Sequence, residues 1–114
     1  MTYRSFIVST MLAAAVLLPA GTSSAAEPAS YTLTIKNHRF QPDTLTVPAG
    51  KRFKLIVRNL DPTPEEFESH SLNREKVVRG NSRITINIGP LKPGTYKFVG
   101  EFHEKTAQGR IVAK

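Results

Sequence analysis

The sequence predicts an all-β protein of about seven short strands, arranged as a sandwich or a small barrel. In several segments apolar and polar residues alternate with a period of two, which is typical of strands that have one buried face. Turn signals that contain proline or glycine separate these segments at near-regular spacing. No segment has a sustained helical period, so a helical fold is not expected.

The first half of the chain contains three predicted strands, at residues 31–36, 44–47 and 53–59. Phe40-Gln-Pro-Asp is predicted as the turn after the first strand, because proline and aspartate favour turn geometry. Pro48-Ala49-Gly50 is predicted as the turn between the second strand and the third.

The second half begins with a stiff loop that contains Pro62 and Pro64. Because a proline restricts its own backbone and that of the residue before it, this loop is expected to deliver residues 65–70 in extended conformation. The other predicted strands are residues 77–78, residues 84–88, a strand that opens at Tyr96 and Phe98, and residues 110–113.

The N-terminal residues 1–26 have the order of segments found in a secretory signal. Arg4 precedes an apolar run over residues 11–20, and small residues then lead to Ala26. The apolar run is too short to span a bilayer. We therefore expect cleavage near Ala26, export, and one mature domain over residues 27–114, with an uncleaved anchor as the alternative.

The composition of the chain limits its partners and its means of stabilisation. Sixteen basic residues outnumber nine acidic ones, for a net charge of +7, and the basic residues are spread along the predicted strands as on a solvated face. Nucleic-acid binding is not expected of an exported chain without a helix or stacking motif, but docking to an anionic membrane or an acidic partner remains an alternative. The chain has no cysteine, so no disulfide stabilises it.

The acidic residues, unlike the basic ones, are clustered. Glu66 and Glu68 would share one face of an extended strand, with Phe67 turned to the core between them. Glu101 and His103, two residues apart in extended backbone, would also point the same way and hold one ion. Six of the nine acidic residues fall in two short windows, which contain Glu65, Glu66, Glu68 and Glu75 in one and Glu101 and Glu104 in the other.

Three stretches of the sequence, in their order, resemble the cupredoxin pattern. VPAGKRFKLIVRNLD resembles the strand that precedes the first metal-ligand loop of that family, and PLKPGTYKFVGEFH resembles the strand that leads into its Cys-x-x-His loop. QGRIVAK resembles its closing strand. The resemblance implies a cupredoxin-like Greek-key β-sandwich over residues 27–114.

The sequence departs from the cupredoxin pattern at the ligand positions. Gly100 stands at the usual cysteine position, and Glu66 stands where the first ligand histidine would lie. Thr106-Ala107-Gln108 replaces the segment with the axial methionine, so only His103 matches a family ligand. Blue-copper electron transfer requires a thiolate on the metal, and no blue-copper centre is expected.

The segments EEFES and GEFHEKTAQG resemble a cupredoxin subfamily of bacterial iron uptake. That subfamily is the small periplasmic B component of Ftr-type ferrous iron transport, related to the N-terminal cupredoxin domain of EfeO-type proteins. The resemblance implies a periplasmic accessory protein that binds Fe(II) and promotes its oxidation, as a ferroxidase, or its delivery. The implied partners are an Ftr-type iron permease, a P19-type periplasmic protein and a membrane ferredoxin-like protein.

The expected metal site combines residues from both acidic windows, because the cupredoxin topology brings the two loops together. Glu66, Glu101 and His103 are the leading ligands, and Glu68 and His70 are further candidates. Carboxylates beside one histidine suit Fe(II), Mn(II) or Cu(II) better than Cu(I). Anionic oxygen ligands would also favour oxidation of Fe(II), because they stabilise the higher charge of Fe(III).

Several alternatives to this site remain open at the level of the sequence. Each candidate ligand is also compatible with a solvated surface position. Iron is the expected cofactor, and copper is the alternative. A non-catalytic copper or iron carrier, and a docking module that binds no metal, are the alternative functions. A homodimer whose two chains contribute ligands to one site is a further alternative, since a small sandwich with a half-exposed sheet can pair with itself.

Two further titratable residues are assigned no metal. Glu75, between Arg74 and Lys76, is interpreted as a partner in surface ion pairs. His38, in the turn after the first strand, is interpreted as a peripheral histidine.

Overall fold

A computed structural model of the protein describes residues 2, 13–16 and 27–114. The proposed secretory signal over residues 1–26 lies almost wholly outside the described residues, so its cleavage near Ala26 stays a prediction. In the part of the chain that the structure describes, no helix is long and apolar enough to cross a membrane.

Residues 27–114 form nine strands, and a single 3₁₀ turn over Glu101–His103 separates the last two. The strands are β1 (Ala29–Lys36), β2 (Arg39–Gln41), β3 (Thr44–Val47), β4 (Phe53–Asn59), β5 (Glu65–Ser69), β6 (Arg74–Val78), β7 (Ser82–Ile88), β8 (Gly94–Gly100) and β9 (Gln108–Ala113).

The strands form a sandwich of two sheets, which confirms the predicted fold class. One sheet has the order β2-β1-β4-β7, and the other has the order β3-β9-β8-β5-β6. The pairs β1–β4 and β3–β9 are parallel, and all other neighbours are antiparallel. Parallel neighbours cannot be joined by a tight hairpin, so the chain crosses repeatedly from one sheet to the other.

The core lies between the two sheets and follows the predicted alternation. In β4, for example, Phe53, Leu55 and Val57 are buried while the residues between them are partly exposed. Phe98 packs edge to face against Phe40, with ring centroids 4.8 Å apart. Phe67 completes this aromatic cluster, with its centroid 5.3 Å from that of Phe98.

The turn predicted at Phe40-Gln-Pro-Asp is wrong in its first half. Residues 39–41 form β2, which pairs with β1, and Phe40 is buried in the core. The burial of this phenylalanine outweighs the local turn preference of the residues that follow it. A turn at Asn37 and His38, whose φ angles are +52° and +57°, precedes β2, and Pro42 and Asp43 form the bend that follows it.

The hairpin of β5 and β6 sets the register of the acidic residues. The prediction of extended backbone after the proline loop is confirmed over Glu65–Ser69, and the strand predicted at residues 77–78 begins earlier, at Arg74. In this hairpin Glu68 lies directly opposite Glu75. The sheet therefore brings two acidic residues together that are seven positions apart in the sequence.

Candidate metal centre

Strand β5 carries a glutamate on each of its two faces. Glu65 and Phe67 point into the sandwich, and Glu65 is only 2% exposed. Glu66 and Glu68 have the opposite parity and lie on the outer face of the five-stranded sheet. Strand β5 thus contributes to two separate arrangements of polar side chains, one on the outer face of its sheet and one in the interior of the sandwich.

The outer arrangement is a group of carboxylates. One carboxylate oxygen from each of Glu66, Glu68 and Glu101 lies within 4.8 Å of the other two. The carboxyl group of Glu75 is within hydrogen-bonding reach of Glu66 when one of the two is protonated. We call these four residues the carboxylate cluster. Such a collection of like charges destabilises a sheet unless protons or a cation compensate it.

No lysine or arginine in the described part of the chain forms an ion pair with this cluster. Its one ion-pair contact is with His70, whose Nε2 lies 3.3 Å from Glu68 Oε1 and whose side chain is 95% exposed. Glu66 is 9% exposed, and no donor in the described residues is hydrogen-bonded to its buried Oε1. Because an ionised oxygen without a partner is costly to bury, a cation at this position would stabilise the protein.

The carboxylates also raise one another's pKa. Hydrogen bonds that link protonated Glu66 to Glu75 and Glu101, together with desolvation and charge repulsion, raise the pKa of Glu66 from 4.5 to about 8. A hydrogen bond with Glu101 and desolvation raise the pKa of Glu68, and the charge of His70 opposes that shift. Protons and a metal ion therefore compete for the same oxygens.

In the absence of metal, Glu66 is expected to make the protein less stable as the pH rises between about 4.5 and about 8. In that range the folded protein binds more protons than the unfolded chain, because the pKa is higher in the folded state, so the free energy of unfolding falls with pH. Urea unfolding in a chelating buffer at several pH values measures this slope. Glu66→Gln should have a flatter slope. A slope equal to that of the wild-type protein would contradict the raised pKa of Glu66.

The inner arrangement is a buried pair of Glu65 and His103. Glu65 Oε2 lies 2.5 Å from His103 Nδ1, while Glu65 Oε1 accepts hydrogen bonds from the backbone N–H groups of Glu66, at 3.0 Å, and Phe102, at 2.9 Å. Gly100 leaves space for this carboxylate, since a Cβ atom there would lie 2.7 Å from the Glu65 carboxyl carbon. Glu65, and not Glu66, therefore lies beside the position at which the cupredoxin pattern has its cysteine.

A second histidine completes the inner arrangement. The rings of His38 and His103 touch, with centroids 3.5 Å apart and planes at 77°. Asp61 fixes the turn of His38, because its carboxylate oxygens accept the backbone N–H groups of Asn37, at 2.8 Å, and His38, at 2.9 Å. Burial alone would raise the pKa of Asp61, but these hydrogen bonds and the two nearby histidines lower it below its ordinary value. We call His38 and His103 the histidine pair.

The predicted ligands are thus divided between the two arrangements. Glu66, Glu68 and Glu101 converge in the carboxylate cluster, with His70 at its edge, whereas His103 is not part of that group. The prediction that Glu101 and His103 point the same way is wrong. The two lie in a 3₁₀ turn with about three residues per turn, so side chains two positions apart point in different directions. The ligand roles of all five residues stay predictions.

Three residues of these arrangements were not predicted from the sequence as site residues. The interpretation of Glu75 as a partner in surface ion pairs is wrong, because within the described residues it forms no ion pair and belongs to the carboxylate cluster. A hairpin centred between Glu68 and Glu75 would have indicated their proximity. Glu65 could have been identified from its position two residues before Phe67, because that spacing places both on the core face of the strand. A glutamate on a core face is rarely present without a partner. For His38 the sequence offers no comparable signal.

Comparison with known proteins identifies the fold family. Residues 8–113 match the sequence model of the family described as the cupredoxin-like domain. An uncharacterized protein of Rickettsia prowazekii (strain Madrid E) is 50% identical over 80 residues, which are 70% of this chain and 64% of that protein. The alignment thus spans less than two thirds of the length of that relative.

Solved structures of copper proteins have the same fold. Auracyanin A, a "blue" copper protein of Chloroflexus aurantiacus, superimposes with a TM-score of 0.65 at 15% identity, over 76% of this chain and 99% of its own. The metal-binding domain of the Streptococcus pneumoniae D39 Cu(I)-exporting P-type ATPase, solved with Cu(I), gives 0.63 at 12% identity, over 75% and 84%. A purple cupredoxin of Nitrosopumilus maritimus gives 0.56 at 18%, over 75% and 99%. At these identities the likeness shows the fold alone.

Proposed function

Because the chain belongs to the cupredoxin-like domain family, we propose that it is a metal-binding protein that holds iron in the carboxylate cluster. A blue-copper centre does not fit the residues present. The sequence has no cysteine, and the carboxylate of Glu65 lies against the position of the usual thiolate, beside Gly100. The metal chemistry of this chain therefore differs from that of the blue-copper proteins that share its fold.

The observation that carries this proposal is the convergence of three carboxylates around a buried oxygen without a hydrogen-bond donor. Carboxylate oxygens are hard ligands, which suit Fe(II), Fe(III) and Mn(II) better than Cu(I). Because anionic ligands stabilise Fe(III) more than Fe(II), the cluster would also favour the loss of an electron from bound Fe(II) to dioxygen.

The wider role that we propose is in iron acquisition. The protein would act in the periplasm, bind Fe(II), and promote its oxidation or its delivery to an Ftr-type permease beside a P19-type protein. The support for this role is the resemblance of EEFES and GEFHEKTAQG to the Ftr-type subfamily. The carboxylate cluster draws its ligands from these same two segments, with Glu66 and Glu68 from the first and Glu101 from the second.

Glu66→Gln and Glu101→Gln are each expected to weaken Fe(II) binding by at least about tenfold, which is about 1.4 kcal/mol. Each substitution removes one anionic oxygen and nearly preserves the shape of the side chain. Anaerobic titration with Fe(II), and with Mn(II) as a probe that does not oxidise, measures the affinity. Glu104→Gln is the matched control, since Glu104 is exposed in the same loop but lies outside the cluster. Equal affinity in all four proteins would contradict the site.

A carrier without catalysis is the second candidate, because the cluster is open to solvent at Glu101. An open site suits the transfer of an ion to a partner as well as it suits oxidation. Oxygen consumption with excess Fe(II) separates the two functions. A carrier stops consuming oxygen when its sites are filled, whereas a ferroxidase continues until the Fe(II) is exhausted.

A further inference from the structure

The orientation of His103 is fixed by a buried carboxylate. Its Nδ1 is hydrogen-bonded to Glu65 Oε2, and the two backbone donors on Oε1 hold that carboxylate in place. With Glu65 ionised, Nδ1 carries the proton, so the lone pair of the neutral ring is on Nε2. Histidines that bind metals commonly donate their other ring N–H to a carboxylate in this way.

The position of His38 is set by the tight turn between β1 and β2. Asn37 and His38 are the two central residues of the β1–β2 hairpin, in which Lys36 pairs with Arg39, and both have the positive φ of a type I′ turn. Asp61 holds this turn through two hydrogen bonds, and the result is a contact between the two imidazole rings.

The charge around the histidine pair also favours a dication. Glu65 is 2% exposed and Asp61 is 8% exposed, so two carboxylates flank the imidazoles in a poorly hydrated region. Within the described residues, neither carboxylate forms an ion pair with a lysine or an arginine. A divalent ion at the histidine pair would offset the negative charge of these two carboxylates.

An ion can reach the histidine pair from solvent. His38 and His103 line one groove of about 660 Å³, which runs between the turn of His38 and the loop after β8. The side chain of His103 is 29% exposed, so the pair lies near the surface. Arg39 and Lys105, which line the same groove, are exposed at its rim.

We propose that His38 and His103 bind a divalent ion of the borderline class, with Cu(II) preferred, at a site separate from the carboxylate cluster. Imidazole nitrogen suits Cu(II), Ni(II) and Zn(II), and Cu(II) binds most tightly among the divalent first-row ions. Glu65 acts as a positioning residue that orients His103, and Asp61 positions His38. The protein therefore has two sites of different chemistry, oxygen-rich outside the sheet and nitrogen-containing inside it.

This site does not depend on the proposed function, because it shares no residue with the carboxylate cluster. Failure of iron binding would leave the prediction for Cu(II) intact, and the reverse also holds. The experiments distinguish the sites by the side chains on which each ion depends.

His38→Gln and His103→Gln are each expected to weaken Cu(II) binding by at least about tenfold, measured by competition with a chelator of known affinity. The Cu(II) electron paramagnetic resonance spectrum of the wild-type protein should show coupling to two imidazole nitrogens, and each variant should lose one. His70→Gln is the matched control, because His70 also contacts a glutamate but is 95% exposed.

A second measurement needs no substitution, so it does not depend on whether the variants fold. Zn(II) added to the nitrogen-15-labelled wild-type protein should shift the imidazole resonances of His38 and His103 and leave those of His70 unchanged. The proposal is overturned if the resonances of the histidine pair do not move at saturating Zn(II). It is also overturned if His70→Gln weakens Cu(II) binding as much as His103→Gln does.

Discussion

Glu65→Ala is expected to lower the free energy of unfolding by about 3–5 kcal/mol, because it breaks a buried, hydrogen-bonded pair. The Glu65 carboxylate accepts hydrogen bonds from the backbone N–H groups of Glu66 and Phe102 and pairs with Nδ1 of His103. Alanine leaves these groups without their acceptor, and each buried polar group left unpaired costs about 1–3 kcal/mol. A cavity would form in place of the carboxylate as well.

Chemical denaturation of the metal-free protein measures this loss. Glu104→Ala serves as the control, because Glu104 is exposed in the same loop, and its effect should lie within about 0.5 kcal/mol of zero. Glu65→Gln should have an intermediate effect, since its amide oxygen can still accept hydrogen bonds. A Glu65→Ala variant as stable as Glu104→Ala would show that the buried pair contributes nothing to folding.

The strands could be predicted from the sequence because alternation depends on local residues. Alternation also assigned the outer face of β5 to Glu66 and Glu68, as the structure shows. It could not assign β2, because Phe40 is buried by contacts with residues that are distant in the chain, among them Phe98. Local preferences for turns are weak in comparison with the burial of an aromatic side chain.

The site could be predicted only in part, for a related reason. Glu101 meets Glu66 and Glu68 because β8 pairs with β5, and Glu75 joins them through the register of the β5–β6 hairpin. Composition and spacing indicated a collection of acids but not this register. The assumption of extended backbone at Glu101 also failed, because a 3₁₀ turn begins there.

Adjacent residues on one strand connect the two arrangements. Glu65 points inward to the histidine pair and Glu66 points outward to the carboxylate cluster, and the N–H of Glu66 is hydrogen-bonded to the carboxylate of Glu65. The 3₁₀ turn repeats this division, since Glu101 belongs to the outer cluster and His103 to the inner pair. A displacement of β5 relative to this turn would therefore disturb both arrangements.

Gly100→Ala provides such a displacement and is expected to destabilise the protein by about 1–3 kcal/mol, the usual cost of overpacking. A Cβ atom at this position would lie 2.6 Å from Cβ of Ala107 and 2.7 Å from the carboxyl carbon of Glu65, so the backbone or the carboxylate must move. Gly94→Ala in the same strand is the control, because its nearest neighbouring atom would be 3.8 Å away. That variant should unfold within about 0.5 kcal/mol of wild type.

A double-mutant cycle identifies which contact limits the space beside Gly100. If the Glu65 carboxylate is the obstacle, Gly100→Ala should cost less in a Glu65→Ala background than in wild type, by at least about 0.5 kcal/mol. The contact with Ala107 remains in both backgrounds, so part of the cost should persist. Strictly additive effects would contradict this packing. Since the carboxylate lies where the cupredoxin pattern has its thiolate, a measured coupling would mean that a side chain at residue 100 and the Glu65–His103 pair compete for one space.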